Sequence, residues 1–530
     1  MVHGQTETIP VLVPVPADAA AMAATDIQKL DQSDQPFQRY LFVHGDRSRS
    51  FHGAFNYVLN SAVSHASILY RPPVVAEGRL IRIDLRRLWP REDQFKELFF
   101  VYEELARLDR YFNVTSELVL EEQVRVKTAP YRAVDGRTYD YEYQTKRTVK
   151  TGTQPALHLA GMTGDQGAIT ILKTLTQSQA PILRADQFLV LASSSYKLEN
   201  GQYYRFRRVR ESDAASGKSA EQLWLESVGV DYAAIQKMRS DQRIAKWRSN
   251  ITGKPRAIEY FYSSSARPIV GPSLTALTRD FFDGTIKASV HPVKNLLNYV
   301  HDGTEAMSIL PNGMVFWVLF NGAGGLVDVA PQALVSDREV PAPHTTNLQP
   351  PISCWRCHGK HDMWQPASND AQGRLGARKL DFFDDESSTT DPIDTMDRLA
   401  GLYTGEMDEP LRIARNAHAR AAFIVSMGMQ LPEIAEKLAE IYRKYRYDLV
   451  TPRAACLELG WEVPEEDAGA LFAEILPKLP ANRFGVRPEN PTIGTLRDGI
   501  GVNRDDWEQE YADAMLRVTI EAIRKQGGLP

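Results

Sequence analysis

The sequence predicts an α+β protein, with a mixed N-terminal part containing β-hairpins followed by a mainly helical C-terminal part. Three observations carry this. Strand-like alternation of apolar and polar residues recurs between residues 79 and 151. Two apolar runs flank Pro311-Asn312-Gly313, and an Asn-Gly step between apolar runs is a strong hairpin signal. From Ile393 onward the apolar residues fall at helical spacing almost to the end of the chain.

The elements follow in order. Residues 1–35 are rich in Pro and Ala and read as a flexible tail. The stretches "QRYLFVHGD" and "GAFNYVLNSAVSHASILY" read as helix. In "GRLIRIDLRRLW", Ile81, Ile83 and Leu85 face one way and Arg82, Asp84 and Arg86 the other, so a half-buried strand is expected. Asp84 among its arginines, and Arg184 with Asp186, read as structural ion pairs. A helix is expected over 91–112, and a strand over "YDYEYQTKRTVKT" because it is aromatic and β-branched. "DQGAITILKTLTQSQ" reads as a helix that ends before Pro181. Residues 210–300 read as mixed and mostly helical. The Asn-Gly hairpin follows, with a second turn at Asn321–Gly325. Its GAGG is no phosphate loop, since no helix and no lysine follow where one is needed. Residues 336–352 are proline-rich and form a linker or covering loop. The expected division is therefore a tail over 1–35, an α+β domain of one or two subdomains over 36–345, and a helical domain over 346–530.

Totals narrow the function. The chain has 530 residues with 43% hydrophobic and 24% charged residues, which is ordinary for a globular protein. A net charge of −5 and a pI near 6.2 lack the basic footprint of a nucleic-acid binder. No apolar run reaches the 18 or more residues of a membrane helix. The hydrolase, metalloprotease, P-loop and Rossmann signatures are all missing from the sequence. Three cysteines cannot build a disulfide framework. One of them, Cys456, reads as a small buried hydrophobe.

The other two stand in "SCWRCH". Covalent haem attachment needs two thiols spaced to match two vinyl groups on one porphyrin edge, then a histidine under the iron. Cys354, Cys357 and His358 meet those needs, and C-x-x-C-H is the signal for c-type haem. Zinc normally takes four ligands in two pairs, and no second pair is evident. A redox dithiol belongs at a strand-to-helix turn of a βαβ unit, which the preceding prolines oppose. One covalent haem c is the expected cofactor, with His358 as the proximal iron ligand.

Around this motif the chain resembles the large bacterial monohaem proteins that carry a cytochrome c domain. Those have an "HDGGE…LPNG" segment before the haem peptide; this chain has "HDGTEAMSILPNG" from His301, then "ALVSD", then "ISCWRCHG". "RLIRIDLR", "PILRADQFLVLAS" and "TLRDGIGVNRDDWEQEY" also resemble family segments, so the likeness spans roughly residues 36–520. Thr304 departs from it, where the family has glycine. The resemblance implies a c-type cytochrome; the leading expectation is a protein that exchanges electrons with a redox protein partner, with a cytochrome c-like helical part over 346–530. It also makes His301 the first candidate for the distal iron ligand, with a hydrogen-bonded turn at Asp302-Gly303 as the plain alternative for that histidine. His418, Met396 and Met407 are further distal options; His361 and Met363 are too close to His358 to reach the far side of the iron. Trp355, Trp364 and Phe382 could wall a haem, and Arg356 and Lys360 could pair with propionates or steer a partner. An open distal site would instead give a peroxidase-like haem enzyme, and a CxxC/His metal-binding structural protein is a further alternative. Covalent haem is assembled outside the cytoplasm, so a periplasmic or other extracytoplasmic location is expected, although the N-terminus lacks the charged and apolar regions of a secretory signal.

Overall fold

The computed structural model describes residues 17–44, 46–63, 68–88, 119–132, 138–151, 166–178, 180–195, 203–207, 209, 212–228, 243–244, 256–267, 271–280, 301–330, 347–360, 408–458, 464–475, 495–504 and 507. In chain order the elements are α1 (Ala17–Ile27), β1 (Gln38–Phe42), α2 (Arg49–Val58), β2 (Val74–Val75), β3 (Leu80–Asp84), β4 (Val119–Arg132), β5 (Thr138–Thr151) and α3 (Gln166–Thr176). Then come β6 (Ile182–Arg184), α4 (Ala185–Ala192), α5 (Ala220–Ser227), β7 (Arg243–Ile244), β8 (Arg256–Arg267), β9 (Gly271–Asp280), β10 (Gly303–Ile309), β11 (Val315–Asn321) and β12 (Leu326–Val327). The helices α6 (Ile352–Lys360), α7 (Asp408–Val425), α8 (Leu431–Tyr442), α9 (Pro452–Glu458) and α10 (Glu465–Ile475) follow, and single helical turns stand at Leu85–Leu88 and Tyr203–Phe206. Helices and strands together make the fold α+β, and no described helix is long and apolar enough to cross a membrane.

Three sheets organise the strands. A four-stranded sheet runs β2-β3-β1-β6, with β1 antiparallel to β3 and parallel to β6. Alternation along β1 serves two cores at once. Tyr40 and Phe42 join α1 and α3 on one face, while Leu41 joins the main core on the other. A second sheet runs β12-β11-β10-β9-β8-β7 and is antiparallel throughout. β4 and β5 pair as a separate ribbon.

The strand expected around Ile81 is β3, with Leu80, Ile81 and Ile83 buried and Arg82 and Asp84 half-buried. The Asn-Gly hairpin is β10–β11, whose pairing runs from Gly303↔Asn321 to Ile309↔Val315. Gly313 takes φ +86°, a conformation costly for residues with a Cβ. A methyl there would also lie 2.9 Å from Ala421 Cβ, so the hairpin tip is pressed against α7.

Three expectations need correcting. The stretch "QRYLFVHGD", read as helix, contains the strand β1, because Tyr40 and Phe42 bury on one face, Leu41 buries on the other, and β3 and β6 pair with it on both edges. Residues 17–35 are not a tail, because α1 buries Ala19, Ala20, Ala23, Ala24 and Ile27 against α3 and β1. Its alanines are small enough for close approach, and Asp26 ties it down by accepting from Tyr40 Oη at 2.8 Å and Arg82 Nη1 at 2.7 Å. Within the region read as mostly helical, residues 256–280 form the β8–β9 hairpin, and β9 pairs with β10. Aromatic and β-branched residues such as Tyr260, Phe261 and Tyr262 suit a pleated surface, and sheet pairing decides the outcome. The helix expected over 91–112 lies outside the described residues.

One buried cluster joins the front and back of the chain. It includes Leu41, Phe55, Tyr203, Trp317, Cys354, Trp355, Ala421 and Leu438. Polar bonds reinforce it across long sequence separations. Asn56 Nδ2 donates to Val425 O at 3.1 Å, linking α2 to α7. Tyr203 Oη accepts from Trp317 N, and Tyr204 Oη from Leu319 N, both at 2.9 Å. These hydroxyls satisfy backbone donors of β11 that its short neighbour β12 leaves over.

Candidate functional site

The whole "CWRCH" motif lies within α6. The helix entrance is anchored from an unexpected quarter. Pro350 and Pro351 are joined by a cis peptide bond, and Ser195 N donates to Pro350 O at 3.0 Å. Ser194 bridges Pro351, and Gln349 N donates to Ser353 Oγ at 3.1 Å. The Ser193–Ser195 run, which reads in sequence as an ordinary loop, therefore holds the start of the motif helix.

Cys354 and His358 stand four residues apart, so helical geometry puts them on one face. That face meets β10 and β11. The Cys354 thiol is buried and donates towards Glu305 Oε1 at 3.7 Å. His358 Nε2 lies 3.8 Å from the same oxygen. The His358 ring stacks on Trp317, with centroids 4.6 Å apart and planes 21° from parallel. The His358 side chain keeps 31% of its surface exposed, whereas Glu305 keeps 14%. Cys357 belongs to the same helix.

The next turn fixes the helix against its neighbour. A methyl at Gly359 would collide with Ala435 Cβ, so α6 crosses α8 at near backbone contact. Beside the crossing is a cavity of about 10 Å³, lined by Tyr57, Trp355, His358, Gly359, His418 and side chains of α8. That is room for roughly one water molecule. His418 is fully buried there, and its Nε2 is 3.1 Å from Tyr57 Oη. Burial pushes its imidazole down to about pKa 4 and raises the Tyr57 phenol well above its ordinary value. Trp355 packs edge-on against Tyr57 at 5.5 Å and Tyr203 at 6.2 Å.

The sequence-derived candidates separate here. Cys354, Cys357 and His358 share one helix, and His418 joins His358 around the cavity. His301 is half-buried just before β10, where its carbonyl packs against Gly322 of the β11–β12 turn. Glu305 lies four residues further on, up to ~13 Å along extended chain. It is the residue of the "HDGTE" segment that meets the motif. Arg356 is buried, with its guanidinium 6.0 Å from the Tyr442 ring, and so is not a surface charge for steering a partner. Asp84 and Asp186 form the expected ion pairs with Arg86 and Arg184, at 2.6 and 2.5 Å. Cys456 is buried as expected, and burial pushes its thiol up to about 11. His361, Met363, Trp364, Phe382, Met396 and Met407 lie outside the described residues, and nothing is described of the Lys360 side chain.

The residue types suit a covalent haem, but their described arrangement is closed. A reduced thiol and a part-exposed imidazole stand one turn apart. Two buried indole donors nearby, Trp317 Nε1 and Trp355 Nε1, have no acceptor among the described residues. A porphyrin is far too large for the 10 Å³ cavity, and the Cys354 thiol and His358 Nε2 both face Glu305, so the described arrangement has no room for the group. Among the described residues no three His, Cys, Asp or Glu side chains are arranged to hold a bare metal ion. No protein-family model, curated protein or solved structure matches the chain.

Proposed function

We propose that the chain is a monohaem c-type cytochrome that passes electrons to or from a redox protein partner outside the cytoplasm. The observation that carries this reading is the C-x-x-C-H motif, with Cys354, Cys357 and His358 on one helix. Cys354 and Cys357 would each add a thiol across a vinyl group. His358 would supply the proximal nitrogen. The bound haem would contribute a reversible one-electron iron couple. The chain's part is to orient the imidazole by stacking it on Trp317 and to keep α6 rigid through the Gly359–Ala435 crossing.

On this reading the helical part after residue 346 serves as the cytochrome c-like part, and the sheets brace it. Electron transfer favours an iron with both axial positions filled, whereas an open position favours chemistry on small molecules. Visible spectra of the reduced protein with and without carbon monoxide test the point. The electron-transfer reading expects a spectrum unmoved by the gas. Ready binding would favour the peroxidase-like alternative.

A further inference from the structure

The groups of the motif that carry its chemistry are already engaged by the sheet. Cys354 is 1% exposed, and its thiol donates towards Glu305 Oε1 at 3.7 Å. His358 Nε2 lies 3.8 Å from the same oxygen, and its ring stacks on Trp317 of β11. Both contacts come from a rigid platform. β10 is an inner strand of the six-stranded sheet, with Glu305 opposite Leu319 on β11 and Thr278 on β9. A carboxylate in such a strand loses much of its hydration, which is costly unless polar partners compensate. The thiol and the imidazole are partners of that kind. A cysteine sulfur enclosed in this way is inert, because an electrophile needs an open line of approach to it.

We propose that Glu305 is the latch of a closed form of the motif, in which α6 docked on β10 withholds Cys354 from covalent modification. The sulfur becomes available only when α6 stands off the strand by local opening. Docking on Glu305 and bonding at Cys354 therefore exclude one another, and any group that Cys354 carries is attached while α6 is undocked. Two other anchors hold the ends of the helix, Pro350 O at Ser195 N and Gly359 against Ala435. The latch governs the turn between them, from which Cys354 and His358 project. The proposal concerns access to the thiol and does not rest on the haem reading.

The test uses the full chain, produced without haem attachment and kept reduced, as wild type and E305Q. Iodoacetamide is the probe of access: an S–C bond forms, iodide leaves and the thiol proton passes to the buffer. Modification of Cys354 in the native wild type should be at least ~100-fold slower than in urea, as for a group exposed only by opening. A native rate equal to the rate in urea overturns the proposal. Peptide-resolved hydrogen exchange then reads the opening itself, free of any change in thiol reactivity. E305Q weakens a charge-assisted contact to a neutral one, so exchange in α6 should quicken by ~5–10-fold while α7 keeps the wild-type rate. Unchanged exchange in α6 overturns the latch. Exchange that quickens in α6 and α7 alike shows a general loosening and overturns it as well. If E305Q does not accumulate, E305D, with its carboxylate drawn back by one methylene, is read by the same two criteria. A wild-type chain that takes up no haem when supplied with it removes the haem reading and leaves these outcomes as they are.

Discussion

At the residue scale, the two histidines that share the cavity live in different surroundings. His358 keeps about a third of its side chain exposed, while His418 is sealed against Tyr57. The depressed His418 value has a consequence for stability. Between pH 6.5 and about 4 the unfolded chain takes up a proton at this position and the folded chain does not. Folding therefore weakens as pH falls through that window, by ~3 kcal/mol in all, and the loss stops below it. His52 is also buried and shifted in the same direction, so it adds to the slope. Replacing His418 with Gln keeps a polar partner for Tyr57 and removes the titration. Urea unfolding of H418Q should show a shallower loss of stability from pH 7 to pH 4 than the wild type; parallel curves would contradict the assignment. The motif residues were legible because their chemistry is written in their spacing. Glu305 and Trp317 were not, because a strand residue carries no local mark of what it faces some fifty positions away. The one available clue was the acidic residue closing the "HDGTE" segment.

At the element scale, what holds α6 in place is mostly small side chains. Gly359 allows the α6–α8 crossing, and an added methyl has nowhere to go. G359A should cost ~1–3 kcal/mol, the usual range for overpacking a well-filled interior, read as a lower urea midpoint at unchanged slope. A midpoint equal to that of the wild type would mean that the helices are not in close contact. The β10–β11 hairpin and the strand β3 could be read directly, since an Asn-Gly step and strict alternation are local signals. The helix α1 could not, because a run of alanines looks like a linker until α3 and β1 give it something to pack against. The β8–β9 hairpin was missed for a related reason. Its pattern became decisive only once β10 supplied a partner along the edge of β9.

At the scale of the whole molecule, the motif helix is enclosed by parts of the chain that lie far apart in sequence. Tyr57 comes from α2, Tyr203 from a single helical turn, Trp317 from β11 and His418 from α7. All of Tyr57, Tyr203, Trp317, Cys354 and Trp355 belong to one buried cluster. This gives a physical role to the large front part that accompanies a short motif: it builds the walls around α6 and supplies the carboxylate that faces it. The central claim is that Cys354 and Cys357 carry one covalent haem. It is tested most directly by the intact mass of the denatured chain, beside C354A and C357A, after production under conditions that assemble covalent haem. The account predicts a wild-type mass increased by one haem that survives denaturation, and loss of the two-thioether linkage in either variant. A wild-type mass equal to that of the bare polypeptide, with zinc found in its place, would contradict it.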